Sequence, residues 1–81
     1  MDETHLVQGI INKAVKEMER NRVTRLKSLQ IKLGDFSGFT NESLQKKFNA
    51  LTKGTPIEGA VLHTEIIPGS KEIQMVGIEV E

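Results

Sequence analysis

The chain has 81 residues, 37% of them hydrophobic, with 11 basic side chains against 11 acidic ones and no cysteine. A chain this short builds one core, and its balanced charge gives no overall pull toward nucleic acid, an anionic membrane or an acidic substrate. The lack of cysteine excludes disulfides, thiolate zinc sites and cysteine nucleophiles, and no apolar run approaches the ~20 residues that cross a bilayer.

The opening "MDETHLVQGII" is acidic and has no basic stretch leading into an apolar run. That is not the pattern of a signal peptide, and a cytoplasmic domain is the expectation. From Leu6 the apolar residues Leu6, Val7, Ile10, Ile11, Ala14, Val15 and Met18 recur at the i, i+3, i+4 spacing of a helix with one buried face. Gly9 inside it costs about 1 kcal/mol relative to alanine. Asn21 is the predicted stop, because asparagine tolerates a left-handed conformation at a helix end.

"LQIKLG" changes to period two, with Leu29, Ile31 and Leu33 on one face and Gln30 and Lys32 on the other, and Gly34 ends this strand. After the turn-rich "GDFSGFT", Thr40 is a good N-cap, with Phe39 and Leu44 at the spacing of a hydrophobic staple. Leu44, Phe48 and Leu51 continue the stripe of a second helix, which Gly54 and Pro56 terminate.

"AVLHTEII" and "EIQMVGIEVE" read as strands joined by "PGSK", and this spacing predicts that they pair as a hairpin. In the last strand Ile73 and Met75 share one parity and Ile78 and Val80 the other. A β-bulge near Val76 and Gly77 would restore a single apolar face. The order αβαββ describes a two-layer α+β domain, two helices on a three-stranded mixed sheet. The crossover rule makes the first strand parallel to one of the last two, without saying which.

At this level of detail the sequence resembles the HypA/HybF family of hydrogenase nickel-incorporation proteins. The resemblance rests on "LVQGI" after an M-x-E opening, "IKLGDFSGF", "ESL", "LTKGTPIEGA" and "KEIQMVGIEVE", and it covers nearly the whole chain. It implies one domain over residues 1–81 that handles nickel and docks on a HypB-type GTP-hydrolysing accessory protein and on the hydrogenase large-subunit precursor. Two departures qualify it. Family members usually carry a zinc module held by two CxxC pairs between the last two strands, whereas here "EIIPG" runs straight into "SKEIQM", so the module is absent at about residues 67–71 and no zinc is expected. The family opening is methionine, histidine, glutamate, and that histidine with the terminal amine forms the core of its nickel site; here the second position is Asp2, while Glu3 matches.

By resemblance, then, the metal candidates are the Met1 amine, Asp2, Glu3 and His5, with nickel as the metal. Nickel(II) favours imidazole, amine and amide nitrogens over carboxylates, so Asp2 in place of an imidazole weakens the site. His5 lies at i+4 from Met1, on a similar helical face. The competing reading needs no metal: acids in the first turn offset the positive end of the helix dipole, by about 0.3–1 kcal/mol each.

The remaining polar features have plain readings beside their functional ones. His63 is expected to be a solvated strand residue, since a bridging role with His5 would require its strand to lie beside the first helix. Asp35 suits a turn, where Asp side chains bond backbone amides. Lys46, Lys47 and Lys53 form a basic edge on the second helix, either solvated or a dock for an acidic partner. Phe36 and Phe39 are expected in the core or staple.

No residues suggest a catalytic arrangement, so an enzyme is not expected. Two functions stay open: a nickel metallochaperone-like accessory protein of hydrogenase maturation, or a protein-binding module that keeps only the fold and its docking. The sheet edge also leaves homodimerisation by strand addition available.

Overall fold

A computed structural model describes residues 3–81. Its elements are α1 (Glu3–Arg20), β1 (Leu26–Gly34), α2 (Asn41–Thr52), β2 (Val61–Ile67) and β3 (Ile73–Val80). Both helices lie on one face of a mixed sheet of order β2-β1-β3, so the predicted two-layer α+β architecture holds.

Each helix forms for the reasons its sequence carries. Val7, Ile10, Ile11, Ala14 and Met18 of α1 are buried, whereas Val15, on the margin of the same stripe, is 38% exposed. The end of α1 differs from the expectation for Asn21. The left-handed residue is Arg22, with φ 55°, and the amides of Val23 and Arg22 donate to the carbonyls of Met18 and Glu19. This is a Schellman closure shifted by one residue, and Asn21 instead uses its side-chain amide to cap the Glu17 carbonyl. In α2, Thr40 and Ser43 form a reciprocal capping box, with Phe39 packed against the core that includes Leu44. Gly54, at φ 81°, lies just past the end of α2, as the sequence predicts.

The predicted β2–β3 hairpin does not form. β1 lies between the two strands, parallel to β2 from Ser28↔Val61 to Gly34↔Ile67 and antiparallel to β3. Burial explains the order: Leu26, Leu29, Ile31 and Leu33 are each no more than 7% exposed, and the central position is the one that both helices can cover. The bulge in β3 is present where its parity requires it. Gln30 faces Gly77 and Ile31 faces Met75, leaving Val76 as the extra residue. A second irregularity, between Leu26 and Ser28, leaves Lys27 over and keeps Leu26 on the helix side.

With β1 in the centre, the connection Pro68–Glu72 must pass over its end, and it does so directly above Gly34. A Cβ at Gly34 would lie 2.2 Å from the Ser70 carbonyl oxygen. The crossing is fixed by main-chain bonds from Gly34 N to Glu72 O (2.8 Å), Phe36 N to Ser70 O (2.9 Å) and Asp35 N to Ile67 O (3.1 Å).

Two glycine substitutions should therefore act in opposite directions. Gly34→Ala forces the crossing chain to move and is expected to lower stability by about 2–3 kcal/mol. Gly9→Ala, whose Cβ meets nothing within 4 Å on the exposed side of α1, should raise it by about 0.5–1 kcal/mol. Urea denaturation of the two variants checks both signs.

Candidate functional site

One end of the molecule gathers the start of α1, the turn between β1 and α2, and the crossing connection Pro68–Glu72. It is also the end at which the parallel pair β1 and β2 finish, where α/β folds commonly place their sites. Leu6, Ser37, Phe39 and Glu72 line one cleft there, and His5, Gly9, Lys13 and Gln74 line a second. The start of α1 thus forms a ridge between two concave surfaces.

Of the four metal candidates, Met1 and Asp2 lie outside the described residues. Glu3 and His5 sit in the first turn of α1, Glu3 half-buried and His5 exposed. Two residues apart on a helix, they are about 200° apart around its axis and do not converge on one ion. Among the described residues no three His, Cys, Asp or Glu side chains gather as a metal site.

His63 is not brought to His5. It stands on the sheet face away from the helices, with Gln30, Lys32 and Glu65 around the same shallow depression, while the strand beside His5 is β3. The solvated reading of His63 fits this position.

Asp35 does bond a backbone amide, but one distant in sequence: its Oδ1 accepts from Gly69 N at 2.8 Å. It ties the β1–α2 turn to the crossing connection. Phe36 departs from its expectation, being 67% exposed rather than in the core. Its amide is held by Ser70, and the neighbouring Gly34 and Asp35 are committed to the crossing, which leaves the ring outside. Lys46 and Lys53 are exposed and Lys47 half-buried, in keeping with a largely solvated basic edge.

Sequence reasoning missed Gln45, whose side chain accepts from Leu62 N at 2.8 Å and donates to Ala60 O at 3.2 Å. It ties α2 to the outer margin of β2. Nothing in its local pattern marks it, because the partner appears only once the layers are stacked. An apolar groove of about 310 Å³, lined by Val15, Met18, Val23, Leu51 and Pro56, separates the far ends of the two helices.

A family model described as "Hydrogenase/urease nickel incorporation, metallochaperone, hypA" matches residues 1–80. The chain is similar to the hydrogenase maturation factor HypA of Lawsonia intracellularis, 38% identical over 68 residues, which is 84% of this chain and 58% of that protein. HypA of Caldanaerobacter subterraneus is 31% identical over 67 residues, covering 83% of this chain and 59% of that protein. HypA of Deinococcus radiodurans is 30% identical over 82 residues, covering 100% and 68%. The chain thus spans less than two thirds of the first two relatives. No described helix is long and apolar enough to cross a membrane.

Removing the Asp35 carboxylate should loosen the crossing connection without touching α1. Asp35→Ala is expected to cost about 1 kcal/mol. Amide exchange should accelerate at Gly69 and Phe36 while the α1 amides keep their rates, as hydrogen-exchange NMR would show.

Proposed function

The chain belongs to the HypA family of nickel-incorporation metallochaperones, and from that membership we propose that it carries nickel for the maturation of a hydrogenase or a related nickel enzyme, as a carrier rather than a catalyst. The observation that supports this reading most is the extent of the family match, which runs from the first residue through the whole αβαββ domain.

Nickel is the cargo, and the start of α1 is its proposed holder. The Met1 amine, the carboxylates of Asp2 and Glu3, the backbone amides between them and the His5 imidazole form the donor set. The first N–H groups of a helix have no intrahelical partner, so deprotonating one of them to bind nickel does not break the helix ladder. Because Glu3 and His5 point apart, the amine and amide nitrogens are the principal donors and one side chain completes the set. Asp2 is a poorer ligand for this ion than an imidazole, and the site is correspondingly weak. Weak retention suits a protein whose task is to hand the metal on.

The two clefts beside α1 are the proposed docking surfaces for a HypB-type GTPase and for the hydrogenase large-subunit precursor, and the proposed setting for that work is the cytoplasm. The absence of cysteine and the short Pro68–Glu72 connection from β2 to β3 support reading residues 1–81 as one HypA-like domain without the zinc module between those strands.

Calorimetric titration of nickel into protein with its native amino terminus tests this reading. Binding should strengthen from neutral to mildly alkaline pH, because an amine of reference pKa near ~8 must lose its proton first. One extra residue before Met1 should abolish binding, and Asp2→His should tighten it by at least about tenfold. Absence of heat in native protein and in Asp2→His alike would leave a docking module without metal chemistry.

A further inference from the structure

Beyond nickel handling itself, we infer that the groove between α1 and the start of β3 holds an extended acidic segment of the protein that receives the nickel, added as a short strand along Ile73–Met75. This rests on the docking role proposed for that cleft, and it assigns the cleft to one partner and one mode of contact.

The outer edge of β3 is open where this groove runs. Gly34 N donates to Glu72 O at 2.8 Å, so Glu72, and with it Gln74 opposite Lys32, turns its main-chain groups toward β1. The two directions alternate along a strand, and Ile73 and Met75 therefore turn theirs away. The Lys13 ammonium agrees with this, since it reaches the Met75 carbonyl at 3.2 Å. The Ile73 N–H and C=O and the Met75 N–H face outward, and the Val76 bulge ends the run. An added strand of about three residues, ~10 Å long, fits that stretch. The other wall of the groove is of similar length, since α1 rises ~12 Å from His5 to Lys13.

Gly9 stands midway along that wall. Glycine weakens a helix interior, and the packing of this chain does not require it there, since a Cβ would meet nothing within 4 Å. The missing side chain leaves a groove of about 300 Å³ open to the helix backbone, where a second chain can approach closely.

The lining selects the occupant. Leu6, Ile10 and Met75 contribute apolar surface, His5 and Lys13 stand toward the two ends, and among the described residues no acidic side chain lines the groove. Lys13 has further N–H donors beyond the one on Met75 O, so this end recognises an Asp or Glu through a charge-assisted hydrogen bond. His5 belongs to the proposed nickel donor set, and whatever fills the groove lies against the holder of the ion. That is the place of the recipient, the hydrogenase large-subunit precursor, rather than of the GTPase.

Binding of purified large-subunit precursor to the full chain tests this mode. The precursor should bind wild-type protein and slow hydrogen exchange at the Ile73 and Met75 amides, read by NMR on isotope-labelled protein. Gly9→Leu fills the groove from an exposed helix position and should weaken precursor binding by at least about tenfold. Urea denaturation should show that variant no less stable than wild type, and nickel titration should show its metal affinity unchanged. Lys13→Glu should weaken precursor binding by a similar factor, whereas Lys13→Arg should retain it. Wild-type protein that does not bind the precursor overturns the inference together with the docking reading. A precursor that binds without slowing those amides, or that binds Gly9→Leu and Lys13→Glu as it binds wild type, overturns the inference alone. Protection of the same amides by the HypB-type GTPase and not by the precursor overturns it in favour of that partner.

Discussion

Everything about this fold depends on one close approach, the passage of the Pro68–Glu72 backbone over Gly34. Because no side chain stands at that point, the chain can leave β2, step across the end of β1 and enter β3 on the far side. That step makes β1 the central strand, which in turn allows α1 and α2 to share one face of the sheet. It also brings the start of α1, the β1–α2 turn and the crossing itself to one end of the molecule. Asp35 reinforces the arrangement from below by accepting the Gly69 amide.

Local features were legible in the sequence because their causes are local. Apolar spacing located both helices, Thr40 located the start of α2, and the parity conflict between Met75 and Ile78 located the bulge that Val76 occupies. Strand order was not legible, since "PGSK" is compatible with a tight hairpin as well as with a short crossing. The difference lies in which neighbour offers backbone groups to Gly34, a tertiary fact. Phe36 failed for the same reason: its neighbours are taken up by the crossing, and the aromatic ring is left outside. The helix stop was right to one residue, with the left-handed position falling on Arg22 rather than Asn21.

The candidate site was legible chiefly through family resemblance, which the match over residues 1–80 supports. Residue chemistry alone gave two acids and a histidine at a helix start, and helix geometry separates Glu3 from His5. The proposed nickel site would therefore draw mainly on nitrogen donors, which that ion prefers to carboxylates. In that proposal the side chains modulate affinity.

The central placement of β1 also governs when the domain can form. Its two partners, Val61–Ile67 and Ile73–Val80, come from the last third of the chain, so contacts of high sequence separation dominate the sheet. Such contacts are slow to form, because a long loop must close before any pairing stabilises it. During synthesis Leu29, Ile31 and Leu33 emerge well before the strands that flank them, and the sheet cannot assemble until β3 has left the ribosome. Folding of the domain therefore waits for its last strand, the one whose Val76 bulge sets the register against β1.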